Sequence, residues 1–139
     1  MPDRKLCFLD ASVLISAISK PTAQNVARRM RANQILNDKD LEFVSSEFLK
    51  LEVIPIATFF SKMRELNFFD KFFDSIALWA STELIITPAL ALACEFGLGA
   101  LDALHLSAAK HFDAEFISAE KPTKPIYRAY SNISSIYED

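Results

Sequence analysis

Short apolar runs and longer stretches of helical periodicity alternate along the first part of the chain. Residues 5–9 form an apolar run that ends at an acid, and residues 11–19 continue with the spacing of an amphipathic helix. Residues 22–37 predict a second helix, and residues 41–44 predict a second strand after a polar break. The pattern therefore predicts strand, helix, helix and strand, with Asp10 at the carboxyl end of the first strand.

The middle of the chain has helical patterns that are rich in phenylalanine. Either serine of residues 45–46 is suited to cap a helix, which Pro55 is expected to bend or restart. Residues 56–80 predict two antiparallel helices that turn near Asn67. Glu52 interrupts the apolar face of the helix that follows residues 45–46, where a carboxylate is costly unless something compensates its charge.

The pattern after residue 80 predicts a further strand and a further helix. Residues 83–86 predict the third strand. Thr87 and Pro88 predict the start of the next helix, with threonine as the cap and proline at the first helical position. Gly97 lies where that helix is expected to end.

The last part of the chain repeats the alternation of helix and strand. Residues 100–112 predict a helix with Asp102 in its first turn, and residues 115–118 predict a fourth strand that ends before Glu120. Residues 126–137 predict a last strand. Strands that alternate with helices predict a three-layer α/β/α sandwich with a mostly parallel central sheet.

Composition limits both the domain count and the classes of function. The chain has 139 residues, about the size of one typical domain, so residues 1–139 are expected to form a single domain. Gly97 and Gly99 are the only glycines, which excludes phosphate-binding loops and nucleophile elbows that need several glycines at fixed offsets. The net charge of −3 gives no global field that attracts nucleic acid, so any polyanion must be bound locally.

Cysteine usage and hydropathy favour an intracellular protein. Cys7 and Cys94 both lie in apolar runs, where reduced and buried thiols are expected, as in the cytoplasm. Residues 84–94 are the longest uncharged stretch, which is too short to span a membrane. Asp10 interrupts the first apolar run, so a signal peptide is not expected. We therefore expect a cytoplasmic protein with no membrane segment.

Four acids occupy positions where a parallel α/β fold gathers functional groups. Asp10 and Glu120 follow predicted strands, Asp102 opens a helix, and Glu52 interrupts an apolar helix face. Carboxylates that converge in a cleft repel one another unless a hard cation neutralises them, and Mg²⁺ or Mn²⁺ fits oxygen ligands of this kind. Two such ions would support in-line hydrolysis of a phosphodiester.

Four segments resemble the motifs of the PIN domain family, which includes the VapC toxins of toxin–antitoxin pairs. The segment LDASVLI at residues 9–15 resembles the first acidic motif of the family, and SEFLKLEV at residues 46–53 resembles the second. The most specific match is LDALHLSAA at residues 101–109, and FISAE at residues 116–120 lies where the family has a strand followed by an acid. The order and spacing of the four motifs carry the resemblance.

The resemblance implies a PIN-like fold and a metal-dependent endoribonuclease that uses Mg²⁺ or Mn²⁺. It also implies the toxin of a pair, with RNA as substrate, an antitoxin protein as partner, and a homodimer. The implied catalytic and metal-binding residues are Asp10, Glu52, Asp102 and Glu120, with Ser12 and Ser118 orienting water or carboxylates. Candidate contacts to RNA phosphates close to Glu120 in sequence are Lys121, Lys124 and Arg128.

Each acid also has a simpler interpretation. Asp10 could merely cap the helix that follows it, and Asp102 could be a first-turn partner of a helix dipole. Glu52 could be paired with a lysine, and Glu120 beside Lys121 could be a solvated charge in a turn. Only the positions of the side chains in the fold can distinguish these interpretations from a role in metal binding.

Two departures from the family motifs leave other functions open. Ala11 stands where a hydroxyl residue is frequent, and Glu120 is one methylene longer than aspartate. Both keep the alternative of a PIN-fold module that binds nucleic acid or protein with weak or no catalysis. An aspartyl-phosphate phosphatase or receiver-like domain is disfavoured because Ser12 stands where its motif needs a second aspartate. His105 is interpreted as a packed or surface histidine outside the catalytic set.

Overall fold

The computed structural model describes residues 4–137, in which a five-stranded parallel sheet is flanked by helices. The strands are β1 (Lys5–Leu9), β2 (Leu41–Ser45), β3 (Leu78–Trp79), β4 (Glu115–Ser118) and β5 (Ile133–Ser135). Their order across the sheet is β3-β2-β1-β4-β5, and each neighbouring pair runs parallel. The predicted α/β fold class is confirmed.

Six helices and one short 3₁₀ turn connect the strands in the described part of the chain. The helices are α1 (Ala11–Ile18), α2 (Val26–Leu36), α3 (Glu47–Phe59), α4 (Met63–Asp74), α5 (Thr82–Phe96) and α6 (Ala100–His111), and the 3₁₀ turn is Pro125–Arg128. Helix α6 packs against β1, β2 and β4 and against α3 and α5, whereas α1 packs against α2, α3 and α4. No helix within residues 4–137 is long and apolar enough to cross a lipid bilayer.

The direction of strand addition reverses at β1. The chain proceeds from β1 to β2 and β3 on one side of the sheet, and β4 and β5 then lie on the other side of β1. In an open parallel sheet, the crevice at the carboxyl ends of the strands beside such a reversal is the usual binding site. Asp10 directly follows β1 and Glu120 follows β4 by two residues, so the topology brings both acids to this crevice.

The central position of β1 agrees with the apolar run that follows Lys5. Cys7, Phe8 and Leu9 are fully buried, as expected for a parallel strand that is covered on both faces. The ring of Phe8 stacks on Phe116 with a centroid distance of 5.7 Å and lies 5.4 Å from the ring of His105. This aromatic core supports the carboxyl end of β1, which Asp10 directly follows.

The predicted third strand at residues 83–86 is wrong, because these residues lie in α5. Helix α5 begins at Thr82 and runs through Pro88, so the helix start predicted at Thr87 is also wrong. Leu84 and Ile86 are exposed while Ile85 is buried, and a short apolar segment of this kind does not distinguish a strand from a helix. Pro88 is tolerated on an exposed face of the helix, where water can hydrogen-bond the carbonyl that it leaves unpaired.

The helix pair predicted at residues 56–80 exists with different limits. Helix α3 continues through the exposed Pro55 to Phe59, and α4 begins at Met63. The turn lies between these helices, where Ser61 adopts a φ of 53°, and not at Asn67, which is inside α4. The segment also contains β3, whose two residues are too short a run to show strand alternation.

Three further expectations have mixed outcomes. Gly97 ends α5 in the left-handed conformation with a φ of 68°, which confirms the predicted helix end. Of the predicted strand at residues 126–137, only Ile133–Ser135 is a strand, namely β5. The start of the predicted segment belongs instead to the 3₁₀ turn that begins at Pro125. Cys7 is buried and burial raises the pKa of its thiol to about 11, but Cys94 is exposed, which contradicts the expectation that both thiols are buried.

Candidate active site

Asp10 is the central acid of the candidate site. Asp10 is only 7% exposed. It occupies the N-cap position of α1, but its side chain accepts no capping hydrogen bond from the helix backbone. The carboxylate oxygen Oδ2 instead accepts a hydrogen bond of 2.8 Å from the hydroxyl of Ser12. Simple helix capping therefore does not explain this acid, and Ser12 supplies a hydroxyl next to the position where Ala11 lacks one.

Two serines join the carboxyl ends of β1 and β4. Ser12 Oγ accepts a hydrogen bond of 2.9 Å from the backbone N–H of Ala119, while Ser118 Oγ lies 3.4 Å from Asp10 Oδ2. Ser118 Oγ also accepts a hydrogen bond of 3.0 Å from the N–H of Glu120. The structure thus places both sequence-predicted serines against the central carboxylate, where they restrict its orientation.

Glu52 reaches the site from α3. Its oxygen Oε1 lies 2.6 Å from Nε2 of His105 on α6, so the partner of this acid is a histidine and not the lysine of the simpler interpretation. Ligand atoms of Asp10, Glu52 and His105 lie within 4.8 Å of one another. Helices α3 and α6 pack together, which brings residues 53 positions apart in sequence into contact.

His105 is the site residue that the sequence analysis left out. It is fully buried, which agrees with the expected packed histidine, but its contact with Glu52 is not evident from the local pattern. One signal was available, because His105 follows Asp102 by three residues, which is close to one helical turn. Helix α6 therefore contributes two neighbouring groups to the acidic region.

A cavity of about 250 Å³ opens beside Asp10. Its charged and hydroxyl-bearing lining residues are Asp10, Asp102, Ser118, Glu120 and Lys124. Glu52 has a ligand atom within 4.8 Å of one on Asp10 and also lines a separate apolar groove. The other three predicted acids therefore lie near Asp10: Asp102 and Glu120 line the same cavity, and Glu52 belongs to the cluster with His105.

Glu120 is exposed, but its backbone is held in place. The carbonyl oxygen of Glu120 accepts hydrogen bonds from the hydroxyls of Tyr127 at 2.8 Å and Ser135 at 2.6 Å. Together with the bond from its N–H to Ser118, these contacts hold the residue at the cavity. The backbone of Glu120 is therefore fixed at the cavity, whereas its side chain is exposed to solvent.

The acids influence one another electrostatically. Burial raises the pKa of the Asp102 carboxyl, and the negative charges of Asp10, Glu120 and Glu52 raise it further, whereas His105 opposes the shift. Asp102 is exposed when the whole residue is considered. The raised pKa therefore reflects the surroundings of its carboxyl group, which faces the other acids. The arrangement concentrates negative charge that a bound cation would relieve.

The predicted phosphate-binding cations have different surroundings. Lys124 lines the cavity beside Asp102 and Glu120. The ammonium of Lys121 lies 5.5 Å from the ring centroid of Tyr137, and Arg128 is exposed at the end of the 3₁₀ turn. Only Lys124 of these three lines the acid-containing cavity, and the roles of all three stay predictions.

The donor set fits Mg²⁺ or Mn²⁺. Carboxylate oxygens are the ligands these hard cations prefer, and ligand atoms on Asp10 and Glu52 lie within 4.8 Å of one another. The raised pKa of Asp102 shows that its charge is destabilised in this cluster, as expected for acids assembled to bind a cation. The ligand assignment of Asp10, Glu52, Asp102 and Glu120 is a proposal.

Comparisons with known proteins agree with this fold. A toxin–antitoxin complex from Klebsiella pneumoniae contains a chain with a TM-score of 0.69 and 19% identity, and the match covers 96% of this chain and 99% of that chain. VapBC2 from Rickettsia felis, bound to a DNA fragment from its promoter, has a TM-score of 0.60 and 17% identity, with coverages of 83% and 88%. A search of curated protein sequences found no match.

The fold and the acidic cluster define a parallel α/β protein with a carboxylate-built candidate site at the carboxyl ends of its strands. The sequence model of the PIN domain matches residues 7–124, so the chain belongs to the PIN domain family. The resemblance inferred from the four motifs is thereby confirmed. PIN domains are generally nucleases, which agrees with an acidic site of this composition.

Proposed function

We propose that this protein is an Mg²⁺- or Mn²⁺-dependent endoribonuclease and the toxin of a VapBC-type toxin–antitoxin pair. The observation that carries the proposal is the convergence of Glu52, Asp102 and Glu120 on the buried Asp10 at the strand reversal of a PIN domain. A bound divalent cation would activate water and offset the negative charge of the phosphodiester. The expected products carry a 5′-phosphate and a 3′-hydroxyl.

The described residues have separate roles in this proposal. The carboxylates of Asp10, Glu52, Asp102 and Glu120 hold the cation, and Glu120 is the acid whose extra methylene makes it the least rigid of the four. Ser12 and Ser118 keep the Asp10 carboxylate in one orientation through the hydrogen bonds at its Oδ2. The RNA phosphates contact Lys121, Lys124 and Arg128, because local cations must compensate for the absence of a global positive field.

The proposal is tested by the cleavage of a labelled single-stranded RNA with the purified protein. We expect cleavage with Mn²⁺ or Mg²⁺, none with a chelator, and new ends that a kinase labels only after phosphatase treatment, as a 5′-phosphate requires. A DNA strand of the same sequence distinguishes ribonuclease from general nuclease activity. Absence of metal-dependent cleavage, with retained binding to the RNA, would favour the non-catalytic binding module.

The proposed antitoxin partner has a candidate surface next to Glu52. An apolar groove of about 290 Å³ contains Ile15 and Ile56, which are 53% and 62% exposed, and Lys20 and Lys62 also line it. Apolar side chains exposed together in a groove are typical of a protein interface. We propose that an antitoxin segment with apolar and acidic side chains occupies this groove.

Substitution in the groove tests the partner proposal. A small protein that co-purifies with the wild-type chain is identified first, and its complex with this chain is then measured by affinity purification and calorimetry. Ile15→Asp and Ile56→Asp are each expected to weaken the complex at least about 10-fold, since the loss of a central interface contact costs about 2 kcal/mol or more. Met30→Asp is the control, because Met30 is 57% exposed on α2 outside the groove. Equal weakening by the control would contradict this placement.

A homodimer and a cytoplasmic location complete the proposal. The mass in solution, measured by light scattering at several concentrations, tests the homodimer.

A further inference from the structure

His105 combines complete burial with a single polar contact. Its ring lies in the core below the site, 5.4 Å from the ring of Phe8, and α6 packs at this level against β1 and β2. Nε2 lies 2.6 Å from Glu52 Oε1, whereas Nδ1 is buried and has no hydrogen-bond partner among the described residues. A polar ring in this position costs stability, so its contact with Glu52 calls for a functional explanation.

The contact assigns the position of the proton on the ring. A carboxylate accepts hydrogen bonds, so Nε2 of His105 must donate to Glu52. In the neutral ring Nδ1 then has only a lone pair, whose burial without a partner is less costly than the burial of an unpaired N–H. The same Nε2 cannot donate to Glu52 and bind a cation at once, so His105 acts through Glu52.

We propose that His105 is a positioning residue that holds the Glu52 carboxylate at the distance from Asp10 that a divalent cation requires. The inference rests on the proposed function and extends it to a residue outside the acidic set. The Glu52 side chain is 31% exposed and has three rotatable bonds, so it would sample other rotamers without a fixed donor. The histidine itself is rigid because the core packs around its ring.

The arrangement also explains why the donor comes from α6. Asp102 lies one turn earlier on the same helix and faces the cavity beside Asp10. Helix α6 therefore orients one acid directly and another through His105, which links α3 and α6 at the site. Hydrogen bonds to a ligating carboxylate are a general means of preorganising a metal site.

The test measures Mn²⁺ affinity by calorimetry and the melting temperature of the metal-free protein, for wild type, His105→Leu and His105→Gln. Leucine is apolar and of similar volume, so it removes the donor and leaves the core filled. We expect His105→Leu to weaken Mn²⁺ binding about 10–100-fold, the usual effect of losing a hydrogen-bond partner of a ligand. Its metal-free melting temperature is expected to equal or exceed that of wild type, because an unpaired buried nitrogen is removed.

Two further variants separate positioning from structure. Glutamine places an amide N–H where Nε2 of histidine lies, so His105→Gln is expected to recover most of the affinity. Ser107→Ala is the matched control, since Ser107 is buried on the same helix and donates to the carbonyl of Ile85 at 2.8 Å. This control is expected to lower the melting temperature without a change in Mn²⁺ affinity.

The outcomes distinguish this inference from the proposed function. Wild-type affinity in His105→Leu, or no recovery in His105→Gln, would overturn the inference and leave the proposed function intact. A lower metal-free melting temperature in His105→Leu together with weaker binding would indicate a structural role and would also overturn it. Wild type that binds no Mn²⁺ would overturn both proposals. If His105→Leu does not fold, His105→Asn, whose shorter amide does not reach Glu52, replaces it.

Discussion

Asp10→Asn is expected to reduce metal-dependent RNA cleavage by more than about 100-fold, beyond the usual 10–100-fold effect of a residue that only supports a ligand. Asp10 is buried, lines the cavity together with Asp102 and Glu120, and has a ligand atom within 4.8 Å of one on Glu52. Asparagine has nearly the same shape and keeps an oxygen that accepts a hydrogen bond from Ser12. The loss would therefore come from the missing charge at the centre of the site.

Initial cleavage rates at a fixed Mn²⁺ concentration measure this effect, and thermal melting provides an independent measurement. A cation present at about 100 times its Kd stabilises the folded state by about 2.7 kcal/mol, which is expected to raise the wild-type melting temperature by about 5–10 °C. Asp10→Asn is expected to lose most of this rise. Asp70→Asn, which removes an exposed acid on α4, is the matched control. Equal cleavage by wild type and Asp10→Asn would end the enzyme hypothesis.

Asp102→Asn is expected to have opposite effects on activity and on metal-free stability. Cleavage should fall by at least about 10-fold, because one of the proposed ligands loses its charge. The metal-free melting temperature should rise by no more than a few degrees at neutral pH, because Asp102 is exposed and solvent screens part of the repulsion. The physical reason is that burial and the charges of Asp10, Glu120 and Glu52 raise the pKa of the Asp102 carboxyl.

The stability that Asp102→Asn gains over wild type should depend on pH. A carboxyl with a raised pKa holds its proton more tightly in the folded than in the unfolded state, so its ionisation destabilises the fold as the pH rises above the ordinary value of 3.8. Asp102→Asn lacks this ionisation, so its advantage over wild type should grow with pH and level off above the folded pKa. Melting in the presence of a chelator at several pH values measures the difference. A variant that is less stable than wild type at every pH would contradict the prediction.

The sequence patterns predicted the central strands and the acids that follow them. Residues 6–9 are an uninterrupted apolar run, which is typical of a parallel strand covered on both faces, and the acid that ends the run placed Asp10 at the carboxyl end of β1. Glu120 was predicted by the same logic after β4. These positions depend on local pattern and on the general behaviour of parallel sheets, so they were accessible without coordinates.

The elements that the sequence misassigned are those whose local patterns are ambiguous. Residues 83–86 contain isoleucines that suit a strand, but α5 includes them because its buried face contacts α6. The turn before α4 depends on the positive φ of Ser61. Serine does not indicate a turn of this kind in a sequence, because glycine is the usual residue at positive φ. Cys94 lies in an apolar run but faces solvent from α5, since periodicity alone does not decide which helix face is covered.

The sequence by itself determined a parallel α/β protein of the PIN domain family, with acids at the strand ends and in the first turn of α6. Only the tertiary structure decided that Glu52 meets His105 across 53 positions and that Asp10 accepts a hydrogen bond from Ser12 instead of capping α1. It also decided that burial and neighbouring charges raise the pKa of Asp102. The physical reason is that hydrogen bonds and electrostatic shifts depend on distances of a few ångströms. Packing between separate helices sets those distances, and no periodicity within one segment encodes them.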